Sequence, residues 1–179
     1  MSANQNELPN AGVLRRFGAI IYDTLPVLAL LIIGTFPFVP FLHGKVLVPK
    51  EVGALAYLYW LEQVVITVLF FGFFWTRRGQ TIGMLAWRLR VQSPDGSLPR
   101  WSQALVRLGI IFVLLLPFVA GYWLIWGHWP EARARQIAMG LSLLPLLVAY
   151  LWIWVDREHL ALHDRWSGTR MVVIPKRGK

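Results

Sequence analysis

"RRFGAIIYDTLPVLALL", residues 15–31, sets two arginines at the mouth of an apolar run and an aspartate inside it. The run continues to Leu42, long enough to cross a hydrocarbon core of about 30 Å with tilt. An aspartate in the middle of such a helix costs about 2.5–3.5 kcal/mol on insertion scales. Asp23 stands seven residues beyond Arg16, which puts it ~10 Å deeper and on nearly the same helical face. Its side chain is too short to reach the interface. The stretch therefore predicts a membrane helix whose acid faces the bundle interior, where it is paired, protonated or set on a water-filled path.

Pro26 brings no N–H to the helix, so the carbonyl of Tyr22 loses its donor. With the Thr24 hydroxyl and the Asp23 carboxyl it forms a set of oxygens at one depth, a donor type suited to a hard cation or a proton. The other reading is an ion pair with Arg107, which sits at a similar depth in a later apolar run. The two are compatible, because protonation would release the carboxylate from the arginine.

The rest of the chain supports a membrane assignment. Of 179 residues, 56% are hydrophobic and 15% charged, and the mean hydropathy is +0.52, well above an average soluble domain. Four spans are predicted, at about 14–42, 54–76, 103–126 and 137–155, giving an all-α integral membrane fold. Residues 1–13 read as a loose N-terminal tail, 14–175 as the membrane domain and 176–179 as a basic C-terminal tail. Neither a signal peptide nor a cleavage site is visible at the N-terminus. Tyr57, Tyr59, Trp60 and Trp75 fall near the ends of the second span, as interfacial aromatics do.

Fourteen of the eighteen lysines and arginines fall in residues 1–16, 77–107 and 156–179. The positive-inside rule places those segments, and both termini, in the cytoplasm. The same distribution accounts for a net charge of +9 and a pI near 10.7 without a nucleic-acid partner, since the basic residues lie between apolar runs. The partner in evidence is the lipid bilayer. With no cysteine, disulfides, thiolate metal sites and thiol nucleophiles are out of reach.

Between the second and third spans, "GQTIGMLAWRLRVQSPDGSLPRWSQALVR" is more than a linker. Trp87, Leu89 and Val91 alternate with Arg88, Arg90 and Gln92 ahead of the turn "SPDG", the pattern of a short strand at the membrane surface. A short amphipathic helix over Thr81–Trp87 fits the same stretch. Gly79 and Gly83 read as backbone punctuation. "RFGAIIYDTLP" at 16–26 and "RLGIIFVLLLP" at 107–117 share Arg, Gly and Pro at one spacing, a faint internal repeat.

Glu62, with Gln63 beside it, is a second acid inside a span and offers an outer port for protons. His159 and His163 are spaced to share a helical face, but without HExxH or further ligands they define no metal site. No GxSxG, Cys–His pairing, GxGxxG or P-loop motif occurs, so the chain reads as a non-enzyme without a cofactor.

Taken in order, "RRFGAIIYD", "RRGQTIGMLAWRLRVQSPDG", "QALVR" and "LHDRWSGTRMVV" resemble the RDD family of small bacterial inner-membrane proteins, named for one arginine and two aspartates. The resemblance places the family's arginine at Arg15 or Arg16, its first aspartate at Asp23 and its second at Asp164. A common form of the family has lysine where this chain has Met84. The activity implied, as suggested for some members, is exchange of sodium or another monovalent cation for protons. On that reading Asp23 is the titrating ligand, Arg16 or Arg107 modulates it, and Asp164 lies near the cytoplasmic mouth. Four spans leave a monomer little room for a gated path, so transport would call for a homo-oligomer. The alternative is a non-transporting scaffold or accessory subunit that recruits a partner through its basic loop.

Overall fold

A computed structural model describes residues 8–128 and 132–175, with the side chains of 122–132 and 134 left aside. Residues 1–7 of the expected tail, 129–131 of the last connector and the C-terminal tail 176–179 lie outside the described residues. Four helices are long and apolar enough to cross a membrane, over Val13–Leu42, Ala54–Arg78, Trp101–Gly121 and Arg135–Trp154. They match the four expected spans. Leu25, Ile33, Val113 and Val155 are all more than half exposed, which water would penalise and lipid tails accept.

Helix α1 (Val13–Thr35) runs through Pro26 without ending. The chain tightens into a 3₁₀ turn only at Phe36–Phe38, around Pro37, before the short α2 (Val39–Leu42). His43 and Gly44, both at positive φ, end it. A single turn, α3 (Pro49–Val52), precedes α4 (Ala54–Arg78). Gly79, at φ 69°, closes α4 by donating its N–H to the Trp75 carbonyl at 3.0 Å, a left-handed cap that suits glycine. The third span belongs to α6 (Trp101–His128), and the fourth is built from α7 (Ala132–Ser142), α8 (Leu144–Leu151) and a 3₁₀ turn over Trp152–Trp154.

Both expectations for the middle loop are met, in sequence. Thr81 caps α5 (Ile82–Ala86), and β1 (Leu89–Gln92) follows it. The partner of β1 is far away in the chain: β2 (Arg170–Val173) pairs with it antiparallel, Leu89 opposite Val173 and Gln92 opposite Arg170. Between the fourth span and β2 lies α9 (Leu162–Trp166). The N-terminal segment is not loose where it is described. Ala11 N–H donates to Met171 O at 2.8 Å and Val173 N–H to Pro9 O at 2.9 Å, because an unpaired edge of β2 would otherwise leave buried backbone groups unsatisfied. The three segments that hold most of the basic residues therefore meet at one end of the bundle.

The tightest core is at that same end, where Ala11, Ala19, Trp75, Met84, Leu89, Val91, Ala104, Leu108 and Met171 pack together. Helix α5 lies directly against α1. A methyl group on Gly83 would stand 2.8 Å from the carboxyl carbon of Asp23, closer than atoms tolerate. Gly109, by contrast, has nothing within 4 Å of its would-be Cβ. Gly83→Ala should lower the melting temperature in detergent by the equivalent of about 1–3 kcal/mol of overpacking. Gly109→Ala should be neutral or gain about 0.5–1 kcal/mol of helix propensity. Equal behaviour of the two variants would refute this account of the α1–α5 contact.

Candidate functional site

Asp164 lies on the first turn of α9, wholly buried. Its carboxylate accepts from Arg16 Nη1 at 2.5 Å, from Arg107 Nη1, and from the backbone N–H of Ala161 at 3.3 Å. Both arginines are 1% exposed. Arg16 also donates through Nε to the Ala11 carbonyl at 2.9 Å, and Arg107 Nη1 donates to Thr169 Oγ1 at 2.8 Å. The guanidinium of Arg107 stacks over Trp75, 5.2 Å from its centroid, a cation–π contact that offsets lost hydration. His163 Nε2 is 3.7 Å from the Asp164 carboxylate, and its ring lies 5.0 Å from that of Tyr150.

This corrects the expected pairing of Asp23 with Arg107. Depth along two helices placed them level, but α9 folds back under the bundle and delivers a carboxylate that no periodicity within a span could announce. Of the two candidate arginines at the mouth of α1, Arg16 enters the site and Arg15 is exposed.

Asp23 is buried and serves another helix. One carboxylate oxygen accepts from Thr81 Oγ1 at 2.5 Å and the other from Gly83 N–H at 2.7 Å, while Thr81 Oγ1 accepts from Met84 N–H at 3.2 Å. The acid thus satisfies one free N–H at the start of α5 directly and orients Thr81, which caps another, where negative charge is favoured. Of the oxygens expected beside it, the Thr24 hydroxyl does not converge on it. Thr24 is exposed and donates to Ile20 O of its own helix at 2.9 Å, and Tyr22 is exposed with its ring edge on Trp87. Helical geometry turns consecutive residues about 100° apart, so Tyr22 and Thr24 face away from the side chain between them.

Glu62 is half-buried, accepts from Gln63 Nε2 at 2.6 Å and packs against Gly34. It stands ~20 Å along α4 from Trp75 and is not brought to Asp23. His159 and His163 do not share a helical face, because His159 sits at φ 54° in the turn before α9.

A cavity of about 480 Å³ connects the two carboxylate regions. Arg16, Arg107, His163 and Tyr150 line it together with Asp23, and Phe71, Ile111, Leu115 and Leu146 supply apolar wall. Its volume is within the range of small-molecule sites. Met84, buried on α5, is also on its wall. Thr81, Trp75 and Thr169 belong to the site without having been expected there: Trp75, expected at the interface, is buried under Arg107, and polar Thr81 directly ahead of a short apolar helix was the readable signal for its cap.

The sequence profile of the RDD family matches residues 10–168. The chain belongs to the RDD family. It is accordingly a membrane protein, and Arg16 and Asp23 line this cavity, with Asp164 held behind the Arg16 and Arg107 guanidiniums. No curated protein and no solved structure matches the chain.

The electrostatics of α9 give the RDD site a defined acid response. Burial alone would raise the Asp164 carboxyl, but Arg107 and Arg16 beside it hold it well below the usual carboxylate range. Burial and the charge of Arg107 push His163 down to about 3, against the opposing pull of Asp164. His163 is therefore neutral when folded, whereas an unfolded histidine takes up its proton near 6.5. Below that value unfolding binds a proton, so stability falls as pH drops from about 6.5 toward 3. Asp164 contributes stability that is lost only lower, as pH falls from the ordinary carboxylate value through its depressed one. Thermal unfolding in detergent at pH 7, 6, 5 and 4.5 should show a declining melting temperature, and His163→Gln should flatten that slope even if its starting stability is lower. A slope unchanged by the substitution would refute the assignment. Asp164→Asn leaves two buried guanidiniums uncompensated and should cost about 3–5 kcal/mol, read as loss of folded protein on size-exclusion chromatography.

Proposed function

We propose that this RDD protein exchanges a small monovalent cation for protons across the bacterial inner membrane, with Asp23 as the group that either ion occupies. The observation that carries the reading is the contrast between its two buried acids. Asp164 is neutralised by two arginines, whereas the partners of Asp23 among the described residues are a hydroxyl and a backbone N–H, both neutral. A carboxylate held without a counter-charge on the wall of a cavity inside an apolar bundle is a place where a proton and a monovalent cation compete. The Tyr22 carbonyl, freed by Pro26, is a further oxygen on the same helix. The distribution of basic residues supports cytoplasmic termini, the absence of catalytic motifs supports a non-enzymatic role, and the limited room in four spans supports a homo-oligomer.

A second reading rests on the same hydrogen bonds. Because Asp23 fastens α5 to α1, it can serve purely as a staple in a scaffold or accessory subunit that presents its basic loop to a partner. Asp23→Asn separates the two. An asparagine can accept from Gly83 N–H through its oxygen and donate to Thr81 Oγ1 through its amide, so the cap geometry survives while the titratable charge is gone. In proteoliposomes with an internal pH dye, wild type should acidify or alkalinise the lumen when sodium, lithium or potassium is stepped outside, and folded Asp23→Asn should not. Flux retained by the variant would exclude Asp23 as the exchanging group. No flux from folded, inserted wild type with any of the three ions would favour the scaffold.

A further inference from the structure

A second opening reaches Asp23 from the outside of the bundle. Ile20, Asp23, Val27, Leu28 and Leu31 recur at helical spacing along one face of α1, and with Phe71 of α4 they line a groove of about 230 Å³. The groove faces lipid: Ile20 is 42% and Leu28 50% exposed, well inside a helix that crosses the membrane. Asp23 also lines the inner cavity, so this one acid stands between an enclosed space and the bilayer.

What the groove can hold follows from its wall. Asp23 is the only charged residue among the described residues that form it. Arg16 and Arg107 line the inner cavity instead, both paired with Asp164, and Arg16 stands ~10 Å from Asp23 along α1. Each Asp23 oxygen accepts one hydrogen bond from α5 and has capacity for a further partner. An inorganic cation gives up its water only for a shell of oxygens. The side chains here supply two oxygen-bearing groups, Asp23 and Thr24, and the Thr24 hydroxyl donates to Ile20 O. An alkylated ammonium asks for less. Its charge needs one anion and its carbons need apolar or aromatic contact, which Val27, Leu28, Leu31 and Phe71 provide. The volume is below that of most small-molecule pockets, so the groove takes the ammonium head with its first carbons and leaves longer substituents in the lipid.

We infer that this groove admits a hydrophobic organic cation, a tertiary or quaternary ammonium dissolved in the bilayer, with Asp23 as its counter-ion. The inference rests on the proposed role of Asp23 as the cation-holding group, and it gives that group a substrate class and a lateral way in.

Dicyclohexylcarbodiimide, a lipid-soluble reagent that adds to carboxyls in apolar surroundings, tests the inference on the full chain in liposomes, with the adduct at Asp23 read by peptide mass spectrometry. Wild type should be labelled, and Asp23→Asn should carry no adduct there. Benzyltrimethylammonium at saturation should slow labelling about tenfold or more, whereas neopentylbenzene, its uncharged carbon isostere, should not. Leu28→Trp, which fills the groove from its lipid-exposed side, should slow labelling as well. Leu115→Trp, which fills the inner cavity, should leave it unchanged. Wild type that resists the reagent, equal protection by the two probes, or labelling blocked by Leu115→Trp and not by Leu28→Trp would each overturn the inference; the probes on wild type decide it should either variant fail to fold. Sodium-driven proton flux that needs Asp23, with no protection by benzyltrimethylammonium, would overturn the organic cation and leave the exchange standing. Protection without proton flux from any cation would leave the groove's ligand standing and overturn the exchange.

Discussion

Asp164 is the point on which the fold is hung. Its single carboxylate must compensate two guanidiniums that have been taken out of water, and removing charges from water is repaid only where geometry and hydrogen bonding are nearly complete. The requirement ties together parts of the chain that share no sequence neighbourhood: α1 through Arg16, α6 through Arg107, and α9 through the acid itself. The supporting bonds extend it outward, from Arg16 to the carbonyl of Ala11 and from Arg107 to Thr169. Those two residues lead into the N-terminal segment and β2, so the small sheet under the bundle is positioned by the same charges.

Asp23 applies the same logic on a smaller scale. A five-residue helix has little intrinsic stability, and α5 is fastened where it is by a carboxylate from α1 that accepts the Gly83 N–H in its first turn. Gly83 permits the approach by having no side chain to place between the two helices. The acid that looked, in sequence, like an intruder in a membrane span is in this respect a cap supplied from another element.

What could be read in the sequence follows from what a linear pattern can encode. The four spans are consecutive apolar residues, and they were legible to within a few positions. So was the alternation that became β1, because strand and helix periods differ. The partner of β1 was not, since hydrogen-bonded pairing between residues 89–92 and 170–173 leaves no mark in either segment alone. The depth argument rightly placed Arg107 among buried charges and assigned it the wrong acid, because it compared positions only on spanning helices and α9 is not one. The Thr24 hydroxyl did not join Asp23 for a different reason: adjacency in a helix is divergence of side chains in space. The echo between residues 16–26 and 107–117 is kept where it has a shared task, with both arginines meeting Asp164. Its glycines have no such common role, since Gly18 is pressed against Trp87 and Gly109 touches nothing.

The two acids stand in opposite electrostatic conditions, Asp23 on the cavity wall and Asp164 behind the arginines that line it. At the α9 end the charges are locked: the carboxylate is saturated, and the arginines hold a positive surplus that protonation of His163 would only worsen. At the α5 end the carboxylate has neutral donors alone, so its charge is free to be answered by something mobile. A positive end and a negative one, separated by ~10 Å of α1 and joined by apolar wall, act on each other, because in so poor a dielectric a charge is felt across the whole space. Met84 sharpens the effect. Were a lysine to stand there, its ammonium could reach toward Asp23 and settle the balance internally; a thioether cannot, and in this chain Asp23 is left with the neutral donors of α5.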